Sequence, residues 1–266
     1  MQVEPGGFPA ALDEQVGDWR MAYPGVPVLM SGMVGSKQGW AESPYAPCPA
    51  GIEDLARAVM PVPGADAVSI VPGISYRAAD GRHDVMRGEE VQIFGALAAD
   101  GEGRQVLCQP GTHSKWAVVE NGRLTWFATS MTGEVFSVMA GHSILGRLME
   151  GEAPGDISAF DQGLALSGKP GGLLNHLFAV RAEGLFDAIP PKGLRSYLSG
   201  ILIGHETRAM IGIARPAGPV TLIGQPDMNR LYAGAITNLK QSTVALPAEG
   251  ATLKGLALIQ EAIKHV

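Results

Sequence analysis

The sequence predicts an α/β protein of two lobes, and three features predict it. Residues 105–129 read as three strands in quick succession. Residues 219–264 then alternate strand and helix, the pattern of a sheet with helices on its faces. Apolar residues make up 46% and charged residues 17% of the 266, enough to bury a sizeable core.

The elements follow in order. Residues 1–25 are polar and marked by Pro and Gly, with a short helix over 10–19. Residues 26–30 form a buried strand that runs into the turn Ser31-Gly32-Met33-Val34-Gly35-Ser36. Residues 67–71 form a second strand, closed by Pro72-Gly73. Asp84 is placed to cap a helix reaching about residue 99, with Val91, Phe94 and Ala98 at helical spacing. Strands are expected at 105–109, 115–120 and 123–129, joined by Pro110-Gly111-Thr112-His113-Ser114 and by the hairpin signal Asn121-Gly122. Helices follow near 132–149, 157–166, 172–183 and 194–213. Strand 219–223, helix 228–239, strand 243–246 and helix 251–264 complete the chain.

Three antiparallel strands followed by alternating helix and strand is how a ribonuclease-H-like domain begins. Actin-like, two-lobed kinases carry that domain twice. The expected division is therefore 1–102, an incomplete N-terminal lobe for the acceptor, and 103–266, a ribonuclease-H-like lobe for nucleotide and phosphate. No three-strand opening is expected within 1–102, and no Asp-x-Gly-x-Thr loop occurs there. The N-terminal lobe is thus expected to lack its first strands, roughly 30 residues at ordinary strand lengths.

Composition excludes several classes. The net charge is −6 and no Lys/Arg run occurs, so a nucleic-acid footprint is not expected. Cys48 and Cys108 are far apart, which speaks against a disulfide framework or thiolate zinc site and fits a reducing, cytoplasmic setting. No apolar run has membrane-spanning length, and Met1-Gln2-Val3-Glu4-Pro5 is no secretory leader. The six histidines show no ligand spacing, and neither Gly-x-Ser-x-Gly nor a post-strand Gly-x-Gly-x-x-Gly is present. A homo-oligomer is compatible with all of this.

Five segments carry candidate chemistry. Gly111, Thr112, Ser114 and Lys115 combine close backbone approach, hydroxyl donors and a compact cation, a cradle for phosphate or else a polar hairpin turn. Arg87, Glu89 and Glu90 place a guanidinium that could fork onto a carboxylate beside groups that could take an alcohol proton. They equally suit a solvated first helical turn. Met33 to Ser36 with Trp40, and Gly224-Gln225, are Gly-rich turns after strands that suit either a ligand or a plain joint. Thr132 and Glu134 suit a phosphate contact or a helix cap. Gly163-Leu164-Ala165-Leu166-Ser167-Gly168-Lys169-Pro170 nearly spells a P-loop, but Pro170 supplies no hydroxyl for Mg²⁺, and a helix ending at glycine explains it better.

Taken in order, Met30 to Ser36 with Gly39-Trp40, Val85 to Glu90, Pro110 to Trp116, Met131 to Glu134 and Leu198 to Gly204 resemble the 2-dehydro-3-deoxygalactonokinases. The likeness runs from about residue 10 to the C-terminus. It implies transfer of the ATP γ-phosphate, with Mg²⁺, to the 6-hydroxyl of 2-dehydro-3-deoxy-galactonate, a step of galactonate degradation. It implies that Gly111, Thr112, Ser114 and Lys115 form a phosphate loop, with Gly224 and Gln225 near the nucleotide. Met33, Val34, Gly35, Ser36, Trp40, Arg87, Thr132 and Glu134 would serve the sugar acid. Glu89, then Glu90, would be the base, with Arg87 beside them, and no protein metal ligand is implied. Two other readings stand beside it: a sugar-acid-binding module of the same fold without catalysis, and a kinase for a neutral sugar.

Overall fold

In the computed structural model the described residues are 3–4, 6–97, 103–151 and 155–266. The chain divides into two compact units. One is built from residues 1–104, 117–127 and 248–266, the other from 105–116 and 128–247.

The first unit opens with α1 (Phe8–Ala22), whose Pro9 sits at the helix start where its missing N–H costs nothing. Strands β1 (Val28–Met30), β3 (Met60–Pro61) and β4 (Val68–Ile70) form a sheet of order β1-β4-β3, with β1 parallel to β4. Val68 and Ile70 of the central strand are buried with Val62. A second sheet has the order β2-β5-β6, from β2 (Tyr45–Pro47), β5 (Gly73–Arg77) and β6 (His83–Met86). Helix α2 (Ile52–Arg57) is held at its start by Asp54, whose carboxylate accepts the Gly51 N–H at 2.9 Å. Helix α3 (Glu89–Ala96) lies against α9 (Ala248–Ile263), where Gln92 Nε2 donates to Thr252 Oγ1 at 3.1 Å.

Here the structure corrects the expected helix from Asp84. Residues 83–86 are strand β6, registered so that Asp84 faces Tyr76 and Met86 faces Ile74. The chain turns at Gly88 (φ 105°), and the helix begins one residue later. Local helix signals lost to sheet pairing that no single-strand pattern reveals. The last expected helical positions, 98 and 99, lie outside the described residues. Strands β2, β3, β5 and β6 were not expected at all; they are short, and three of them carry Pro or Gly.

A five-stranded sheet of order β11-β10-β7-β8-β9 is formed by β7 (Arg104–Gln109), β8 (Ser114–Glu120), β9 (Arg123–Ser130), β10 (Val220–Gly224) and β11 (Thr243–Pro247). β7, β10 and β11 are parallel, with Val220 registered to Val106 and to Thr243. The β8–β9 turn has positive φ at both Asn121 (50°) and Gly122 (76°), the conformation that matches strand twist in a two-residue hairpin.

The helices of the second unit are α4 (Thr132–His142), α5 (Ile157–Ser167), α6 (Gly172–Leu185), α7 (Leu194–Ala214) and α8 (Pro226–Asn238). Asp156 caps α5 by accepting the Ala159 N–H at 3.0 Å. The near-P-loop at 163–170 is the end of this helix, with Gly168 as its C-cap. Ala140, Ala159, Val180, Leu194, Leu198 and Ile201 share one core. At the α5–α7 crossing the backbones touch: a Cβ on Gly163 would sit 2.1 Å from the Tyr197 carbonyl oxygen, and one on Gly200 2.1 Å from that of Phe160. No helix among the described residues is long and apolar enough to cross a membrane.

A methyl group at residue 200 therefore meets backbone rather than a movable side chain. Gly200→Ala is expected to cost at least about 2 kcal/mol by overpacking and to lower Tm by at least about 4 °C. A thermal melt matching wild type would show that the crossing has slack.

Candidate functional site

Two constellations hold the chemistry-bearing residues, one in each unit.

In the second unit the β7–β8 turn meets the first turn of α4. A Cβ on Gly133 would lie 2.6 Å from the Gly111 oxygen and 2.7 Å from the Thr112 Cα, so only glycine permits the approach. The Glu134 N–H donates to the Thr112 oxygen at 3.0 Å, and His113 Nε2 contacts the Glu134 carboxylate. The positive end of the α4 dipole is thus set beside a turn rich in backbone amides. Next to it opens a pocket of about 440 Å³. Gly111, Thr112, Thr132, Gly133, Ser137, Ser199 and Asp227 give it polar groups, and Phe136, Leu202, Ile203, Met228, Leu231 and Tyr232 give it apolar walls.

Beneath the turn lies Glu206 of α7, only 6% exposed. Its carboxylate accepts Trp116 Nε1–H at 2.8 Å and the Tyr232 hydroxyl at 2.7 Å, it is also hydrogen-bonded by Thr132, and the Ser114 hydroxyl lies beside it. Burial pushes its carboxyl above the usual range, and those hydrogen bonds pull it back. Burial, reinforced by the Glu206 charge, likewise drives the Tyr232 phenol well up.

Several expected positions shift accordingly. Gly111, Thr112 and Thr132 line the pocket. Ser114 is fully buried, its hydroxyl 2.8 Å from that of Tyr232 and 3.4 Å from the Gly111 oxygen, and Lys115 is 6% exposed. Gly224 and Gln225 end β10 and cap α8, while the pocket is reached by the two residues just beyond Pro226, Asp227 and Met228. Asn229 holds the Gly224 oxygen at 3.1 Å and keeps a buried Oδ1 without a hydrogen-bond partner. Thr132 is not a helix cap, since α4 has no side-chain cap and its hydroxyl serves Glu206.

In the first unit, Arg87 is fixed by residues that bear no motif. Its Nη1 contacts Ser43 Oγ, its Nη2 donates to the Ser43 oxygen at 2.9 Å, and its guanidinium lies 4.2 Å over the Tyr45 ring. Gly35 packs into the same cluster, where a Cβ would sit 2.6 Å from Ser43 Oγ. The Arg87 N–H donates to Glu89 Oε2 at 3.0 Å. Glu90 differs from its neighbour: it is wholly buried, both its oxygens lie 2.8 Å from the Gly88 nitrogen, and desolvation pushes its carboxyl up to about 8. Met33, Val34, Ser36 and Trp40 line a pocket of about 630 Å³, with Trp40 stacked on Phe8 at 6.1 Å. Ser36 Oγ is buried without a partner.

A family profile described as 2-keto-3-deoxy-galactonokinase matches residues 1–259. The chain belongs to the 2-keto-3-deoxy-galactonokinase family. A Rhizobium meliloti (strain 1021) protein assigned as a 2-dehydro-3-deoxygalactonokinase is 35% identical over 243 residues, covering 90% of this chain and 79% of that one. The 2-dehydro-3-deoxygalactonokinase of Escherichia coli (strain K12) is 33% identical over 263 residues, covering 98% and 87%. A Sinorhizobium meliloti protein with the same assignment has a crystal structure that superposes at a TM-score of 0.88, with 33% identity over 97% of this chain and 86% of that one. This member of the 2-keto-3-deoxy-galactonokinase family carries its glycines at 133, 163 and 200 where backbones meet.

The burial of Glu90 has a sign that can be measured. Its folded pKa of about 8 lies above the ordinary carboxylate value of 4.5. The unfolded chain therefore releases this proton first, and the contribution to stability is full below pH 4.5 and lost as pH rises through about 8. Glu90→Gln, which cannot ionise, is expected to show a shallower fall in Tm between pH 5 and pH 8 than wild type. Parallel curves would mean that Glu90 ionises freely in the folded protein.

Proposed function

We propose that this protein is a sugar-acid kinase that transfers the ATP γ-phosphate to the 6-hydroxyl of 2-dehydro-3-deoxy-galactonate. The observation that carries the reading is the β7–β8 turn set against the start of α4 beside a half-apolar pocket. Amides and a helix N-terminus suit phosphate oxygens, and apolar walls suit a purine. Family membership and the names of its relatives supply the acceptor. The finer fold is proposed too: a two-lobed, actin-like enzyme, with 1–102 serving the sugar acid and 103–266 the nucleotide. The strand order β9-β8-β7-β10-β11, with a hairpin on one side and parallel strands on the other, supports a ribonuclease-H-like lobe.

Roles follow from burial and hydrogen bonding. Gly111 and Thr112 hold the phosphates, supported by Ser114 and Lys115, and Gly224 and Gln225 set the start of α8 so that Asp227 and Met228 meet the nucleotide. Met33, Val34, Gly35, Ser36, Trp40 and Arg87 receive the sugar acid; Met33, Val34, Ser36 and Trp40 line the pocket of about 630 Å³. Thr132 and Glu134 stay with the phosphate turn. Glu89 is the base, because an acid at residue 90 sealed from solvent and protonated near neutrality cannot take a proton from an alcohol. Mg²⁺ fits this site as a nucleotide-borne ion: among the described residues no three His, Cys, Asp or Glu side chains form a cage, and such an ion needs only one or two carboxylates. Asp227, which lines the pocket, would hold it. When bound, it would neutralise charge building on the phosphate oxygens.

A coupled ADP-release assay with ATP, Mg²⁺ and 2-dehydro-3-deoxy-galactonate is expected to show turnover, and ADP at background level would reject the kinase. Glu89→Gln is expected to lower kcat by about 10² to 10⁴; near-normal turnover would move the base elsewhere. The engagement of Arg87 by Ser43 and Tyr45 favours weighing a neutral-sugar kinase as a second reading. Arg87→Ala should raise KM for the sugar acid at least about tenfold if a charge-assisted bond is lost. An unchanged KM in a folded variant would favour the neutral sugar.

A further inference from the structure

Glu206 stands in no motif, yet three donors from three other elements converge on it: Trp116 of β8, Thr132 of α4 and Tyr232 of α8, with Ser114 of β8 joined to it through the Tyr232 hydroxyl. Burying a carboxylate is costly unless its lone pairs are filled. A neutral Gln offers one oxygen; only a carboxylate offers two, with about four acceptor positions. The three donors draw on both oxygens, Trp116 on one and Tyr232 on the other.

The proton directions follow. Tyr232 has a single hydroxyl proton, and at 2.7 Å it goes to Glu206. Ser114, 2.8 Å from the same phenol oxygen, must then donate to it. Thr132 also donates to Glu206. A hydroxyl that donates inward offers only lone pairs on its other side, so Thr132 presents an acceptor to the pocket. Two of these residues, Thr132 and Tyr232, line the pocket, and Ser114 anchors the end of the phosphate turn.

The geometry assigns Glu206 as the positioning residue of the nucleotide site: without touching the ligand, it fixes the hydroxyl orientations of Thr132, Tyr232 and Ser114 and so holds the 111–114 turn in the shape that receives phosphate. This rests on the reading of that pocket as the nucleotide site. Substitution at residue 206 would then act on nucleotide affinity and leave the sugar acid alone. In Glu206→Gln one donor faces an amide N–H instead of an oxygen, and the hydroxyls must turn.

The test is calorimetric titration of the full chain with Mg·ADP, paired with KM for both substrates. Wild type should bind ADP; no binding would reject the nucleotide reading itself, and this assignment with it. Glu206→Gln, with a cooperative melt, is expected to raise the Kd for ADP and the KM for ATP at least about tenfold, with KM for the sugar acid within twofold. Unchanged ADP affinity in that variant would overturn the assignment, and so would an equal loss for both substrates. Should Glu206→Gln fail to fold, Ser114→Ala decides: its hydroxyl is buried away from the pocket, so weakened ADP binding supports the relay and wild-type binding overturns it.

Discussion

The structure of the second unit depends on one contact: the backbone of the β7–β8 turn resting on the first turn of α4. Residue 133 has no side chain, and the Thr112 and Gly111 backbone occupies the space where one would be. Glycine there is costly within a helix. The cost is offset because the α4 N-terminus and the turn's amides then converge. The buried carboxylate of Glu206 lies under this junction and draws β8, α4 and α8 to α7.

The first unit meets a different constraint. It must hold a guanidinium and two adjacent carboxylates in fixed and distinct environments. Sheet pairing carries the chain to Met86, and Gly88 turns it, so that Glu89 and Glu90 diverge: one half-buried, the other sealed. Two residues of the same type, side by side, thereby sit in different surroundings, and desolvation is the largest of the influences that raise the Glu90 carboxyl.

Most of the chain from residue 105 onward was legible in the sequence. The strand triplet and the later strands and helices lie within a few residues of expectation, except that the helix expected near 132–149 ends at His142, where Ser143 is extended and a short 3-10 turn (Ile144–Leu148) follows. Before residue 105, α1, β1 and β4 were expected, whereas β2, β3, β5 and β6 were not, since they are two to five residues long and the helix signal at Asp84 yielded to pairing with β5. The pocket lining was legible where it is made of a glycine-rich turn, as at Gly111 and Thr112. Glu206, Tyr232, Ser43 and Tyr45 carry no spacing signature, since packing alone brings them in, and the burial of Ser114 and Lys115 was hidden because a one-dimensional pattern cannot tell inward from outward.

The α5–α7 crossing has a further consequence. Gly200 presses on α5, Ser199, Leu202 and Ile203 wall the pocket, and Glu206 lies buried beneath the turn, all within eight residues of α7. Each face of that segment is already committed, so it has almost no freedom to drift or to be redesigned. Any evolutionary or engineered reshaping of the pocket is left to its other walls, among them Met228 and Leu231 of α8.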